Sequence, residues 1–255
     1  MIKKIAISVI ALSISMIGFV GCFSNPGGSE VDSSGDKKQI IMGTNAEFAP
    51  FEYREGKDVV GFDVDLSKKI AENLGKELKI EDMEFGGLLA ALETGKVDFI
   101  AAGMSKTPDR AEQVDFSKPY FTASQMITVK AGNTDIASGD DLVGKKIGVQ
   151  LGTTGEEVAR EIEDAEVISF DKGAMALVDL ANGKLDAVVL DAEPTKNYTE
   201  GNDELQVLEE ELTNEEYSIA VRKGDKELLD AINKTIDEMK ENGEFEELFN
   251  KYFEE

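Results

Sequence analysis

The residues best suited to chemistry lie in one short stretch, Gly95 to Arg110, with the sequence GKVDFIAAGMSKTPDR. The apolar run VDFIAA predicts a buried strand, and Thr107 and Pro108 predict the start of a helix. Gly103, between them, lets the backbone approach a ligand closely, and Arg110 falls in the first helical turn. Free N–H groups, the helix dipole and a planar guanidinium together favour a carboxylate or phosphate at this place.

A plainer interpretation of this stretch stays open. Arg110 could form a surface ion pair, and Thr107 or Ser105 could be an ordinary helix cap. Strand–turn–helix units are common, although ligands favour the C-terminal ends of such strands.

Composition narrows the classes of function. The chain has 255 residues, enough for one or two domains, and a net charge of −25 from 27 basic and 52 acidic residues. This charge argues against binding nucleic acid or a broad anionic lipid surface. The chain has no His and a single Cys, which excludes His-based catalysis, His metal sites and an internal disulfide. We expect no cofactor and no metal.

The N-terminus has the pattern of an export signal. Lys3 and Lys4 precede an apolar run, and the run ends in Phe-Val-Gly-Cys at residues 19–22. This end resembles a bacterial lipobox, which implies a signal peptide over 1–21 and lipidation of Cys22. An uncut membrane anchor is the alternative, but the run is shorter than the roughly 20 residues of a typical span.

The segment after the lipobox is rich in Ser, Gly and charged residues and predicts a flexible tether over 22–38. The chain beyond it alternates strands with helices, which favours an α/β fold with mainly parallel sheets. Strands are predicted in 39–45, 77–85, 97–102, 166–170 and 184–191. Helices are predicted within 58–75, in 87–95 and 172–183, and twice after 223, and a strand, turn and helix in 145–162.

Two segments break the alternation and predict crossings between two lobes. SQMITVK at 124–130 has the pattern of a long strand with no helix pattern nearby, and YSIAVRK at 217–223 has the pattern of a second crossing strand. The chain is therefore expected to form lobe 1 from 39–122 plus 218–255, and lobe 2 from 123–217. In lobe 2, Thr154 fits the first position of a capping box, T-x-x-E, with the interpretation as a cap alone left open.

The two predicted lobes share a short internal sequence repeat, called the echo below. ALETGKVDFIAAG at 91–103 and DLANGKLDAVVLD at 179–191 share a helix end, Gly-Lys-(Val/Leu)-Asp and an apolar strand. The echo predicts that Gly103 of one lobe and Asp191 of the other occupy equivalent positions, unless the match is chance.

With these residues in view, the chain resembles the amino-acid-binding branch of the bacterial extracellular solute-binding proteins, family 3. The matching pieces run in order over 40–253: EFAPFEY, VGFDVDL, FGGLLAALETGKVDFIAAGMSKTPDR, VDFSKPYF, GKKIGVQLGTTGEE, GKLDAVVLD and NGEFEELFNKYF. The resemblance implies a two-lobed periplasmic-binding-protein-like fold of type II, with two hinge strands and a ligand cleft between the lobes.

The resemblance also implies roles for individual residues. Arg110 would bind the α-carboxylate of an amino acid, assisted by the N–H and hydroxyl of Ser105 and by Thr154 from the opposite lobe. Asp191 would pair with the α-ammonium, and the Gly103 carbonyl would face the same group. A zwitterion needs both charges met when it leaves water, because an unpaired buried charge is costly.

Other positions have weaker assignments. Phe48 and Phe85 would be aromatic walls, with plain core packing as the alternative. Gln150 and Asn45 would make ligand-selective contacts, although Asn45 could be only a turn residue. The acids between Glu209 and Glu216 are expected to form a solvated face. Three acids are weak candidates for contacting a cationic ligand side chain: Glu47, Glu52 and Glu193.

Three positions depart from some relatives and leave the side-chain pocket less polar: Ala102, Gly155 and Leu190. The implied function is that of an extracytoplasmic lipoprotein on the outer face of the cytoplasmic membrane. It would capture an amino acid, a polar one being favoured, and deliver it to the permease and ATPase of an ABC importer. We expect a monomer and no enzymatic activity. The alternatives are a cleft enzyme such as a dehydratase, with Asp191 and Glu193 as the acids, or a sensing domain for a signalling partner.

Overall fold

The structure, a computed structural model, describes residues 38–254. The predicted signal peptide, Cys22 and nearly all of the tether lie outside the described residues and stay predictions. Within the described part, no helix is both long enough and apolar enough to cross a membrane.

The strands are β1 Gln39–Thr44, β2 Glu47–Phe48, β3 Glu52–Glu55, β4 Asp58–Val60, β5 Glu77–Asp82, β6 Phe99–Ile100, β7 Val114–Phe116, β8 Phe121–Ala123, β9 Gln125–Lys130, β10 Lys146–Gln150, β11 Glu166–Phe170, β12 Ala187–Asp191, β13 Leu205–Glu211, β14 Glu215–Tyr217 and β15 Ala220–Arg222. The helices are α1 Phe62–Asn73, α2 Leu88–Glu93, α3 Pro108–Gln113, α4 Thr154–Glu161, α5 Gly173–Ala181, α6 Ala192–Thr199, α7 Lys226–Asn242 and α8 Glu244–Phe253, with 3₁₀ turns at Phe85–Gly87 and Gly139–Leu142.

Two five-stranded sheets share one topology. The first has the order β5-β1-β6-β15-β7 and the second β11-β10-β12-β9-β13. In each sheet the first three strands are parallel, and the fourth is antiparallel to both of its neighbours. The predicted α/β fold is therefore confirmed, but both sheets are mixed rather than mainly parallel, because the fourth strand of each runs antiparallel to its neighbours. The echo is also confirmed, because β6, which precedes Gly103, and β12, which ends at Asp191, hold the same place in their sheets.

The predicted crossing strands are each divided or shortened. The second crossing forms β14, which pairs with β8, and then β15, which pairs with β6 and β7. Ser218 and Ile219 lie between them, where the chain changes from one set of partners to another. The first crossing enters the second sheet as β9, which starts at Gln125. The lobe limits at 122/123 and 217/218 stay a prediction.

The helices cover the sheets with the apolar faces that their spacing predicts. In α1, Leu66 and Ile70 are fully buried, and Leu74, directly after the helix, packs half-buried against the same core. In α7, Ile232 and Ile236 are fully buried in that core. Removing such side chains from water contributes about 1.5–3 kcal/mol each, so this packing holds the first sheet to its helices.

The strand predicted at 97–102 is shorter than expected but buried as expected. Every residue of the run is buried, yet only Phe99 and Ile100 form the ladder of β6. The antiparallel neighbour β15 pairs with only those two residues, and this limits the strand length. The backbone after Ile100 is thereby free to turn toward Gly103.

Candidate functional site at the strand ends of both sheets

A narrow pocket lies where the C-terminal ends of the central parallel strands of both sheets meet. It is lined by Phe48, Phe85, Gly103, Ser105, Arg110, Gln150, Thr153, Thr154 and Asp191. All the predicted ligand-binding residues except Asn45 are in this set, and Thr153 joins them. The structure brings these residues together; their binding of a ligand stays a prediction.

Arg110 is buried in the pocket wall rather than exposed in a surface ion pair. It lies in the first turn of α3, whose cap Thr107 accepts from the Arg110 N–H at 3.3 Å. Its guanidinium donates to the carbonyls of Ser105 at 2.7 Å and Gly152 at 2.9 Å. The group also lies over the ring of Phe85, 5.6 Å from the ring centre. The contact with Gly152 links the element after β6 to the loop after β10.

The charge of Arg110 is poorly compensated. Burial lowers the pKa of Arg110, while the charges of Glu157, Asp191 and Glu215 act in the opposite direction. Within residues 38–254, the one acid at ion-pair distance is Glu157, at 4.0 Å and with 52% of its side chain exposed. The two carbonyls use only part of the five-donor guanidinium. A buried cation in this state favours an anionic ligand.

Asp191 is the matching buried anion. It ends β12, is 5% exposed and accepts a hydrogen bond from the hydroxyl of Tyr217. Burial raises the pKa of Asp191 to about 6; the Tyr217 hydrogen bond opposes this, and the charge of Glu215 adds to it. No Lys or Arg of the described chain forms an ion pair with Asp191. A cation is therefore the group that this carboxylate lacks.

Ser105 and Thr154 face each other across the pocket. Both hydroxyls donate to the same oxygen of Glu215, Thr154 at 2.7 Å. A hydroxyl has one proton to donate, so these two are already engaged. Their backbone N–H groups have no acceptor among the described residues. The backbone, rather than the hydroxyls, is thus what the two residues present to a ligand.

The N-cap of α4 lies one residue earlier than predicted. Thr153 is the N-cap of α4, accepting from the N–H of Glu156 at 3.4 Å, and Thr154 is the first helical residue. The prediction of Thr154 as the cap was wrong, because Thr153-x-x-Glu156 offers the same pattern one position earlier. The shift places the Thr154 side chain toward the pocket.

Glu215 is the site residue that the sequence analysis missed. The predicted solvated acidic face includes Glu215, and the prediction is wrong for this position, because its carboxylate is half-buried against Ser105 and Thr154. The signal was its spacing: Glu215 and the buried Tyr217 are two apart on β14 and share a face. The neighbouring acids are exposed as predicted: Glu209, Glu210, Glu211 and Glu216.

Glycine is needed at position 103 because the ring of Phe48 leaves no room for a side chain there. The φ of Gly103 is +51°, and a Cβ added there would lie 2.5 Å from an edge carbon of Phe48. Phe48 is 8% exposed and also contacts Phe51 and Tyr217. Phe48 is thus both a core aromatic and a wall of the pocket, so the two interpretations of it do not exclude each other.

Asn45 and Gln150 form a polar contact between the two sheets. Gln150 ends β10 and donates to the side-chain oxygen of Asn45, just after β1, at 2.9 Å. The Asn45 amide also donates to the carbonyl of Met83 at 3.1 Å. Asn45 is buried and is more than a turn residue. It supports the pocket through Gln150 rather than lining it.

The three acids considered for a cationic side chain lie outside the pocket lining. Glu47 pairs with Lys172, and Glu193 pairs with Lys196 at 2.7 Å. Glu52 is fully buried in the core beside Asp63.

Glu52 and Asp63 form a buried carboxyl pair behind Gly103. One Asp63 oxygen accepts from the Gly103 N–H at 2.9 Å and the Tyr120 hydroxyl at 2.7 Å. Both oxygens of Glu52 and the other oxygen of Asp63 have no donor within the described chain, yet the two side chains are in hydrogen-bond reach. If Glu52 carries a proton, its hydroxyl can donate to Asp63 and supply the missing hydrogen bond. Burial raises both pKa values, that of Asp63 to about 6, and the charge of Asp63 raises that of Glu52 further.

This pair predicts a pH-dependent stability difference between the wild type and Glu52→Gln. Because the folded pKa of Glu52 is raised, its stabilising contribution is present below the ordinary carboxyl pKa of about 4 and is lost as pH rises. The amide of Gln donates to Asp63 without titrating. Unfolding in urea measures the free energy of unfolding of both proteins. The value for Glu52→Gln minus that for the wild type should therefore rise by about 1 kcal/mol or more between pH 5 and pH 8. The exposed Glu112→Gln is the control, and equal pH profiles for wild type and Glu52→Gln would contradict the shared proton.

Comparison with known proteins agrees with the fold. Residues 40–255 match the family model of bacterial extracellular solute-binding proteins, family 3. The arginine-binding extracellular protein ArtP of Bacillus subtilis is 38% identical, covering 98% of each chain. A probable histidine-binding protein of Campylobacter jejuni is 37% identical, covering 84% of each chain. The crystal structure of a mutant of ArgBP from T. maritima has a TM-score of 0.81 and 43% identity, covering 86% of this chain and 96% of the other.

The three proteins match most of this chain, and their sequence identities of 37–43% are higher than a shared fold alone requires. The chain has the two-lobed periplasmic-binding-protein-like fold of type II that the sequence predicts. The chain belongs to the bacterial extracellular solute-binding proteins, family 3.

Proposed function

We propose that this protein captures a free amino acid in the pocket between its two sheets and delivers it to the permease and ATPase of an ABC importer. The observation that carries the proposal is a pair of buried opposite charges, Arg110 and Asp191, that do not form an ion pair with each other. An α-amino acid carries an anion and a cation separated by one carbon, and it supplies the missing partner of both.

The carboxylate of the amino acid binds the remaining donors of Arg110 and the N–H groups of Ser105 and Thr154. Charge-assisted hydrogen bonds of this kind are about twice as strong as neutral ones. The ammonium group binds Asp191, with the Gly103 carbonyl as a second acceptor. Because Asp191 must be ionised for this contact, the amino acid binds the deprotonated form of the carboxyl group.

The side chain of the amino acid lies between Phe48 and Phe85, with Gln150 at the polar end, held there by Asn45. The two relatives named for arginine and the one named for histidine support a ligand with a polar side chain. Planar polar groups such as a guanidinium stack well on aromatic rings. Arginine is therefore the first ligand to test.

Closure of the two lobes completes the site. Arg110 reaches the Gly152 carbonyl, and Gln150 reaches Asn45, so the pocket walls are joined across the cleft. Lobe 1, 39–122 plus 218–255, and lobe 2, 123–217, move about the crossings near β8 and β14. An amino acid shifts the equilibrium toward the closed form by its greater affinity for that form, and the permease recognises the closed form.

The family is one of extracellular proteins, so the protein works outside the cytoplasm. We assign residues 1–21 to a signal peptide, Cys22 to a lipid anchor on the outer face of the cytoplasmic membrane, and 22–38 to the tether. The net charge of −25 keeps the body away from nucleic acid and in solution as a monomer. No catalytic step is proposed, because Asp191, the one acid in the pocket lining, has its role in holding the ammonium group.

Calorimetry of the protein with the common amino acids tests the function, and at least one polar amino acid should bind. Arg110→Ala removes the partner of the carboxylate and should weaken that binding by about 2–5 kcal/mol, or at least about thirtyfold in Kd. Arg54→Ala, at a half-exposed arginine outside the pocket, should bind like the wild type. The absence of binding by every amino acid would contradict the function, and unchanged affinity in Arg110→Ala would contradict the role of that residue.

Fractionation of cells expressing Cys22→Ala tests the anchor. A lipid on Cys22 holds the wild type in the membrane fraction, because a buried acyl chain contributes about 0.8 kcal/mol for each CH₂ group. The variant cannot carry that thioether and should no longer be recovered as a mature membrane-bound species. A variant of mature size that stays in the membrane fraction would refute the anchor.

A further inference from the structure

We propose that Glu215 is a clasp: its carboxylate ties the two lobes together in the closed form and positions the N–H groups that bind the ligand carboxylate. The proposal rests on the proposed function and adds a residue to it. Glu215 does not line the pocket, so it is a positioning residue rather than a ligand contact.

The clasp joins one residue from each lobe through a single atom. Oxygen Oε2 of Glu215 accepts from the hydroxyl of Ser105, in the loop after β6, and from that of Thr154, the first residue of α4, at 2.7 Å. β6 belongs to the first sheet, and α4 packs on the second. Both bonds require the two lobes to be close, so they form together only in the closed cleft.

The other oxygen of Glu215 is held by the crossing segments. Oε1 accepts from the Thr213 hydroxyl at 2.7 Å, and that hydroxyl accepts from the backbone N–H of Gln125 at 2.9 Å. The side-chain amide of Gln125 donates to the Thr154 hydroxyl at 3.1 Å. Glu215 and Gln125 each begin a strand of a crossing segment, β14 and β9. The network therefore fixes the carboxylate at the hinge and orients both pocket hydroxyls toward it.

The geometry of the hydroxyls decides which atoms remain for the ligand. Each hydroxyl gives its one proton to Glu215, so neither can donate to a ligand carboxylate while the clasp holds. The N–H groups of Ser105 and Thr154 have no acceptor among the described residues, and both residues line the pocket, so these groups remain for the ligand carboxylate. Hydrogen bonds to a charged acceptor are worth more than neutral ones, and the clasp contains three of them on one carboxylate.

A competing interpretation gives the opposite result and can be separated by experiment. The carboxylate of Glu215 could occupy the place of the ligand carboxylate and compete with it near Arg110. Competition predicts that removing Glu215 tightens binding. The clasp predicts that removal weakens binding, because the open form is then favoured and the ligand must supply the closing free energy.

Calorimetry and stopped-flow release with an amino acid bound by the wild-type full-length chain test the clasp. Glu215→Ala should raise Kd by about tenfold to a hundredfold, mainly through faster release. Glu215→Gln keeps an acceptor oxygen and should lie between Glu215→Ala and the wild type. Ser105→Ala keeps its N–H, and combining it with Glu215→Ala should cost less than the sum of the two single changes. The exposed neighbour Glu216→Ala is the matched control.

The outcomes are distinct. If the wild type binds no amino acid, the proposed function fails. If it binds and Glu215→Ala binds equally well or more tightly, the clasp alone is overturned. Small-angle scattering supplies a readout that does not depend on affinity: at saturating ligand, Glu215→Ala should retain a larger open fraction than the wild type. Should Glu215→Ala fail to fold, Glu215→Gln and Ser105→Ala carry the same test.

Discussion

The site depends on one constraint: a buried guanidinium and a buried carboxylate are both present without an ion pair between them. Arg110 is 4% exposed and Asp191 is 5% exposed. Charges removed from water are costly unless they are paired and hydrogen-bonded. Here backbone carbonyls and a tyrosine hydroxyl satisfy part of that requirement, and we propose that a zwitterion meets the rest. The arrangement makes the closed cleft less favourable without its ligand than with it.

The duplicated topology explains how the two charges come to face each other. In each sheet the third parallel strand ends at the pocket, β6 leading to Gly103 and β12 ending at Asp191. The strands beside them, β1 and β10, end in the same region: Asn45 directly follows β1, and Gln150 is the last residue of β10. Parallel strands direct their C-terminal ends to one edge, so two sheets meeting at those edges place four strand ends around one cavity. The crossings near β8 and β14 connect the sheets and contribute Glu215.

Most of the secondary structure and many of the residues that line the pocket could be predicted from the sequence. Apolar runs and glycine stops define most strands and helices, and the strand–turn–helix pattern at 95–110 indicates Arg110 as a candidate anion-binding residue. Contacts between distant segments could not be predicted so well. Glu215 looks like one acid among several, because its partners Ser105 and Thr154 are far away in the sequence. The cap of α4 was misplaced by one residue because two adjacent threonines both satisfy the same local pattern.

The most direct measurement compares the binding of an amino acid with that of its methyl ester and its N-acetyl derivative. The ester lacks the carboxylate that we propose Arg110 binds, and the N-acetyl derivative lacks the ammonium that we propose Asp191 binds. Isothermal titration should show that each derivative binds at least about thirtyfold more weakly than the parent, the cost of leaving one buried charge unpaired. If either derivative binds as tightly as the parent amino acid, the two buried charges are not what selects the ligand.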